Sequence, residues 1–571
     1  MKGIVVCPQP RAADVGADVL RRGGTAFDAA IATAFAQMVA DPFMCGLGGM
    51  GTLQFFRAED GASGMIDFHT RAGSGVWPDM WTADMRGRTE VSGYTIFDDL
   101  RSDIGYRAIM TPGTVAGLWE AHRRLCSRPW AELVRPAAAM ARDGLEVTPF
   151  VHDFWARPPM PGVADGLRRI RASAASASIF LHPEGRLWRV GEVLRNPDLA
   201  TTLEALAEGG ADLFYRGEMA ARMAVDLAAN GAYVTAEDLA GYAVRHGAPV
   251  EGRYRGFRVL SNPPPGSGVS LIQMLHILEH FPLGGFEHGS PHHLDLVARA
   301  MAAAHLDREE WLGDPDFADV PVEMLTGAER AAEWAGRIRG GEFPAPAPAA
   351  PPSCTTHLSV HDEAGNAVSL THTLGTGAGV VTPGLGFVWN NSMKLADPVP
   401  GRPNSLAPGK ARTTGMVPTI LLRDGQPFLV VGAPGGSVII SSVLQTILNV
   451  VDFGMSPVEA VSAPRIHCEG GPILAEARIE AATVRELVAM GHKVRHSPIS
   501  YDPQQSRAHA IVIEGGVARG GADPRAAVGW PGPDLPKKSA VSHTIMQTAS
   551  DRRCHLPAGC LESRAGRKQN Q

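Results

Sequence analysis

Apolar and polar positions along this chain repeat with two different periods. Ala26 to Ala40 is apolar on most faces, which marks a helix buried between layers. Arg11 to Arg22 reads as an earlier helix, closed by Gly23-Gly24. Further helices are predicted over Val269–Glu279, from Met301 toward a turn near Phe317, over Ser437–Val450 and over Val484–Met490. Pro112-Gly113 opens another, and Thr235 to Asp238 has the form of a capping box. Between them lie short runs rich in β-branched and aromatic residues: Thr52–Arg57, Met65–Phe68, Pro418–Gly432 with an Asp-Gly turn inside, and Ala508–Ile513. Thr355–Asp362 and Ala367–Thr373 form a strand pair around the turn Glu363-Ala364-Gly365-Asn366. Helices and hairpins mixed in this way predict an α+β chain.

Composition narrows the class. The chain has 571 residues, 44% hydrophobic and 20% charged, enough for a large buried core. Its net charge of −6 gives no reason to expect a nucleic-acid partner. No run of ~18 apolar residues predicts a membrane span. Met1 to Pro10 is too short and too soon broken by proline to read as a signal peptide. Seven scattered cysteines fit reduced thiols better than a disulfide framework, so a cytoplasmic location is expected. Residues 535–571 hold seven Lys/Arg against two acids and read as a basic flexible tail.

Two features look like ligand sites and are set aside. Gly46 to Gly51 is glycine-rich, but the order is helix, glycines, strand, whereas a dinucleotide loop needs strand first and helix after. His357, His361 and His372 lie on one hairpin without accompanying carboxylates, so neither metal nor cofactor is expected.

The candidate chemistry lies at Cys354-Thr355. The Pro/Ala run from Pro344 to Pro352 can enter neither a sheet centre nor a helix interior, so it delivers an extended segment to a strand that begins with threonine. Were the Cys354–Thr355 bond cut, Thr355 would gain a free α-amine beside its hydroxyl, a built-in base for a nucleophile.

The run from Thr355 to Thr373 resembles the processing site of gamma-glutamyltranspeptidases. Asn390-Asn391-Ser392-Met393 and Gly432-Ala433-Pro434-Gly435-Gly436-Ser437 resemble that family in order and spacing, and the resemblance extends over roughly residues 3 to 530. It implies a four-layer αββα sandwich of the N-terminal nucleophile hydrolase type. It also implies autocleavage into a large subunit, 1–354, and a small subunit, with 355–534 as its ordered part. Thr355 is then the nucleophile, Thr373 its hydrogen-bond partner, and the Gly435 and Gly436 N–H groups the oxyanion donors, each typically worth ~3 kcal/mol. Arg71, His69, Ser392 and Thr414 become the candidate substrate-binding residues. The partners implied are a small-molecule amide and the two subunits of one precursor; a homo-oligomer is left open.

The substrate anchors depart from the family pattern. His69 stands where an arginine usually follows Asp-Phe, with Arg71 two residues on. Leu395, preceded by Lys394, stands where an acid is usual. A Ser-Ser pair becomes Thr414-Gly415, and an asparagine becomes Gly375. A lysine ~4 Å from a substrate ammonium would be unfavourable by about 4 kcal/mol at an effective dielectric near 20. Three readings therefore compete: γ-glutamyl transfer or glutathione hydrolysis; hydrolysis of amides whose acyl group bears a carboxylate but no α-amine, of oxamate or glutaryl type; and a non-cleaving binding protein with the same fold.

Overall fold

The computed structural model describes residues 3–89, 94–344, 354–526 and 547–548. Most of the Pro/Ala approach and of the basic tail therefore lies outside the described residues. Two antiparallel sheets form the centre. The first runs, in spatial order, Gln547–Thr548, Gly3–Val6, Cys354–Asp362, Ala367–Gly375, Met50–Arg57, Ala62–Phe68 and Arg245–Gly247. The second runs Val517–Ala522, His509–Glu514, Gln426–Gly432, Thr419–Arg423, Phe257–Ser261 and Val250–Tyr254.

The sheets pack face to face through Ile4, Val6, Phe56, Leu260, Ile420 and Val430. Their outer faces carry helices. Ala26–Ala40 is a helix buried along its whole length, and it packs on the first sheet. The helices Gly268–Glu279 and Val438–Val451 belong to the apolar core on the other side of the second sheet. This is the αββα arrangement.

Local signals read from the sequence account for many boundaries. The Thr235 side chain caps the helix Ala236–Ala240, and Asp238 returns the bond to the Thr235 N–H at 2.9 Å. The same device starts Ala26–Ala40, where Thr25 and Asp28 cap each other. The helix predicted from Met301 begins earlier, at Pro291, and ends at Trp311. Its N-terminal half carries few large apolar residues, and Ser290 with Pro291 supplies the start.

The hairpin of Cys354–Asp362 and Ala367–Gly375 is central in its sheet. Asp362 ties its turn, accepting from the N–H groups of Ala364 and Asn366 at 3.0 Å each and from the Ala26 N–H at 2.7 Å. Thr355 therefore sits at the inner end of a strand with a partner on either side.

Candidate active site

The pairing of the hairpin slips between His372 and Gly375. His372 faces Thr356 and Gly375 faces Cys354, so Thr373 and Leu374 together oppose Thr355. This bulge re-aims one side chain, and the side chain concerned is Thr373. Thr355 Oγ1 donates to Thr373 Oγ1 at 3.1 Å. Thr373 Oγ1 donates to the Cys354 carbonyl at 2.5 Å and accepts from the Gly375 N–H at 2.9 Å. Thr355 Oγ1 also contacts that carbonyl.

Hydroxyl, partner hydroxyl and the preceding carbonyl thus close around the Cys354–Thr355 bond. Thr355 Oγ1 is placed to attack the Cys354 carbonyl carbon. Its proton has an acceptor in Thr373, whose own proton points at the oxygen that becomes negative.

Gly375 is closely packed in this chain. Its φ is +79°, and a Cβ would meet Asn391 Oδ1 at 2.3 Å. Asn391 fills that space and bonds the Thr376 N–H at 2.8 Å. Gly435 and Gly436 have φ of +139° and +69°, conformations that glycine tolerates and side chains resist. They precede the helix Val438–Val451, whose N-terminal end carries partial positive charge. A Cβ on Gly415 would lie 2.0 Å from the Gly436 carbonyl, so this turn leaves no room for the second serine of the family pattern.

A pocket opens over these groups. Thr355, Thr373, Thr414 and Gly436 line it, so four of the candidate catalytic and substrate-binding residues meet there. Arg71, His69 and Ser392 are elsewhere. Arg71 donates to Asp314 at 3.1 Å, and Arg245 holds the other oxygen of the same carboxylate at 2.8 Å. His69 is buried against Asp67. Ser392 is buried with its hydroxyl 4.0 Å from the Met50 sulfur.

Lys394 also behaves differently from the expectation of a repelling charge. It lines the pocket, but its ammonium is paired with Asp103 and lies 4.4 Å above the Tyr94 ring. Asp103 also pairs with Arg169, so the three groups together keep one net positive charge beside the pocket, which weakens but does not remove the repulsion expected on a substrate ammonium. Leu395 does line the pocket as an apolar residue, and Asp397 nearby is already held by Arg88 at 2.8 Å and Arg402 at 3.0 Å.

Among the lining residues that carried no functional signal in the sequence are Arg412, Arg308 and Glu469. Arg412 is buried. Its Nη1 donates to the Thr413 carbonyl at 2.9 Å, while its Nε has no hydrogen-bond partner. Burial pulls its pKa down to about 10, which leaves it charged at neutral pH. Arg308 donates to Ser267 Oγ at 3.0 Å, and burial again works against its charge while Glu469 supports it.

Glu469 accepts from His467 at 3.0 Å. Burial opposes its charge, but His305 and His467 hold its carboxyl at about 2. His305, His467 and Glu469 bring three ligand-type atoms within 4.8 Å of one another and are the described group best able to hold a metal ion. Arg308 already sets a positive charge against that carboxylate.

Fold and site together define an N-terminal nucleophile hydrolase or acyltransferase, an α+β enzyme that acts through a threonine on its central sheet. The chain belongs to the gamma-glutamyltranspeptidase family, whose profile matches residues 12–529. It is 35% identical to the acylase ACY 1 proenzyme of a Pseudomonas species, over 91% of this chain and 95% of that one. It is also 35% identical to the glutathione hydrolase proenzyme of Escherichia coli, over 92% and 90%. The solved cephalosporin acylase of Bacillus halodurans superposes with a TM-score of 0.82 at 29% identity, covering 93% of this chain and 96% of that one. The chain is a self-processing amidohydrolase or acyltransferase of this family that works through a threonyl acyl-enzyme.

Proposed function

We propose that maturation cuts the Cys354–Thr355 bond, and that the mature enzyme hydrolyses amides whose acyl group carries a carboxylate and lacks an α-amine. The Thr355 hydroxyl, with the freed α-amine as base, attacks the amide carbonyl. Gly435 and Gly436 hold the oxyanion; the C–N bond then breaks, the amine leaves with the proton that the α-amine took from the hydroxyl, and water or an acceptor amine releases the acyl group from Thr355.

Arg412 carries this reading: a buried guanidinium with an unpartnered Nε, in the same pocket as the nucleophile. Its planar fork suits a carboxylate. An ammonium has no comparable anchor, since Leu395 occupies the usual acidic position and Asp397 and Glu469 already have cationic or histidine neighbours. The chain is as similar to an acylase proenzyme as to a glutathione hydrolase proenzyme, and its likeness to a cephalosporin acylase keeps an acylase activity within the family's range.

The test compares kcat/KM for glutaryl, γ-glutamyl and butyryl anilides. Wild type is expected to favour glutaryl over both others. A hydrogen-bonded charge of this kind is worth about 1.5–3 kcal/mol, so Arg412→Leu should reduce glutaryl turnover roughly 10- to 100-fold and leave butyryl turnover unchanged. A wild-type preference for γ-glutamyl would return the enzyme to the glutathione reading. Loss of butyryl turnover in the variant would place Arg412 outside carboxylate recognition.

A further inference from the structure

Residues 505–507 touch both halves of the catalytic machinery. Ser506 is fully buried, and its Oγ donates to the Pro434 carbonyl at 2.6 Å. In a trans peptide the C=O and the following N–H point in opposite directions. Holding the Pro434 carbonyl therefore fixes the direction of the Gly435 N–H, away from Ser506. The contact is close: a Cβ on Gly435 would stand 3.0 Å from the Ser506 Cβ.

The next residue reaches the nucleophile, for Arg507 Nη2 donates to the Thr355 carbonyl at 3.4 Å. The segment is itself held in an unusual shape. Ser506 has φ +66°, uncommon for a residue with a Cβ. Arg465 braces it, bonding the Gln505 and Ser506 carbonyls at 3.3 and 3.4 Å while paired with Asp523. Such a constrained backbone persists only where its surroundings over-determine it.

We propose that Ser506 is a positioning residue for acyl transfer: its hydroxyl sets the Pro434–Gly435 peptide so that the oxyanion donors face the carbonyl attacked by Thr355. This rests on assigning Gly435 and Gly436 as those donors. It separates two reactions at one nucleophile. In self-cleavage the attacked carbonyl is that of Cys354, and its donor is Thr373. In substrate turnover the donors belong to the glycine turn. Loss of the Ser506 hydroxyl should therefore slow turnover and spare processing.

The deciding variant is Ser506→Gly, because glycine adopts φ +66° without strain. Ser506→Ala removes the same hydroxyl while keeping the Cβ. Self-cleavage is followed by denaturing gel and intact mass, and kcat and KM are measured on the anilide that wild type hydrolyses best. Loss of a whole oxyanion donor typically lowers turnover 10²–10³-fold, so misdirecting one should lower kcat about tenfold. KM should stay within about twofold, since the ground-state carbonyl depends little on these donors.

Both variants should process at the wild-type rate and keep the wild-type melting temperature within a few degrees. Wild-type kcat in Ser506→Gly overturns the proposal. So does a parallel loss of processing and turnover, or a rise in KM equal to the fall in kcat/KM, because each describes a structural role. A wild type that turns over none of the anilides instead sinks the substrate reading, and shows it before any variant is made.

Discussion

Asp103 holds two cations beneath the pocket. Lys394 and Arg169 both pair with its fully buried carboxylate. Burial works against that charge, but Arg169 and Lys394 together hold the carboxyl at about 2, below its ordinary 3.8. A depressed acid stabilises the fold above its ordinary pKa and loses that contribution as pH falls through the folded value. Asp103→Asn should therefore destabilise the protein by about 3–5 kcal/mol at neutral pH, because it strands two buried cations. The gap in melting temperature should narrow between pH 4 and pH 2. A gap that stays constant across that range would show that ion pairing at Asp103 is not its source. Single residues were also where the sequence was least informative. Arg71 has a suggestive spacing from Asp67-Phe68, yet Asp314, remote in sequence, claims it. Arg412 sits between Ala411 and Thr413 in no periodic pattern, and only the folded pocket reveals it.

Whole elements were more legible, because their signals are local. The fully buried helix Ala26–Ala40 and the Thr235–Asp238 cap fall where pattern and capping chemistry put them. The bulge opposite Thr355 carried no sequence signal of its own; it emerges from the pairing of two strands. The glycine turn shows how elements constrain one another. Proline cannot take φ of +139° or +69°, so proline at Gly435 or Gly436 would disturb the turn itself as well as remove a donor. A cleaner probe is Gly415→Ala, whose methyl would press on the Gly436 carbonyl. It should lower kcat by about tenfold or more through displacement of the donors, with a modest fall in melting temperature. An alanine variant with unchanged kcat would show that the turn yields to the methyl without catalytic consequence.

At the scale of the whole molecule, strands from both sides of Thr355 interleave. Cys354–Asp362 lies between Gly3–Val6 and Ala367–Gly375, and Met50–Arg57 follows. In the second sheet Thr419–Arg423 pairs with Phe257–Ser261. The layer order follows from the family resemblance, whereas alternating hydrophobicity alone allowed only an α+β class, since it does not specify which strand neighbours which. Under the proposed cut at Cys354–Thr355, the strand pairing beyond Thr355 should hold the two products together. The two products should co-elute at the precursor's size in native chromatography and separate only in denaturant. Spontaneous separation in native buffer would contradict the interleaved sheets. Thr355→Ala should remain one chain and inactive, with the same native size.

The interleaving also gives the molecule a history. Before the cut, every strand is tethered to its neighbours and assembly is unimolecular, independent of concentration. After the cut, a denatured enzyme must bring two separate chains back into alternating positions in two sheets, a second-order search with exposed strand edges inviting wrong pairing. The precursor should thus regain its structure on dilution from denaturant, while the mature enzyme recovers poorly and increasingly so as protein concentration drops. Processing makes the native state a place the chain reaches once, and its lifetime afterwards is set by how slowly it opens.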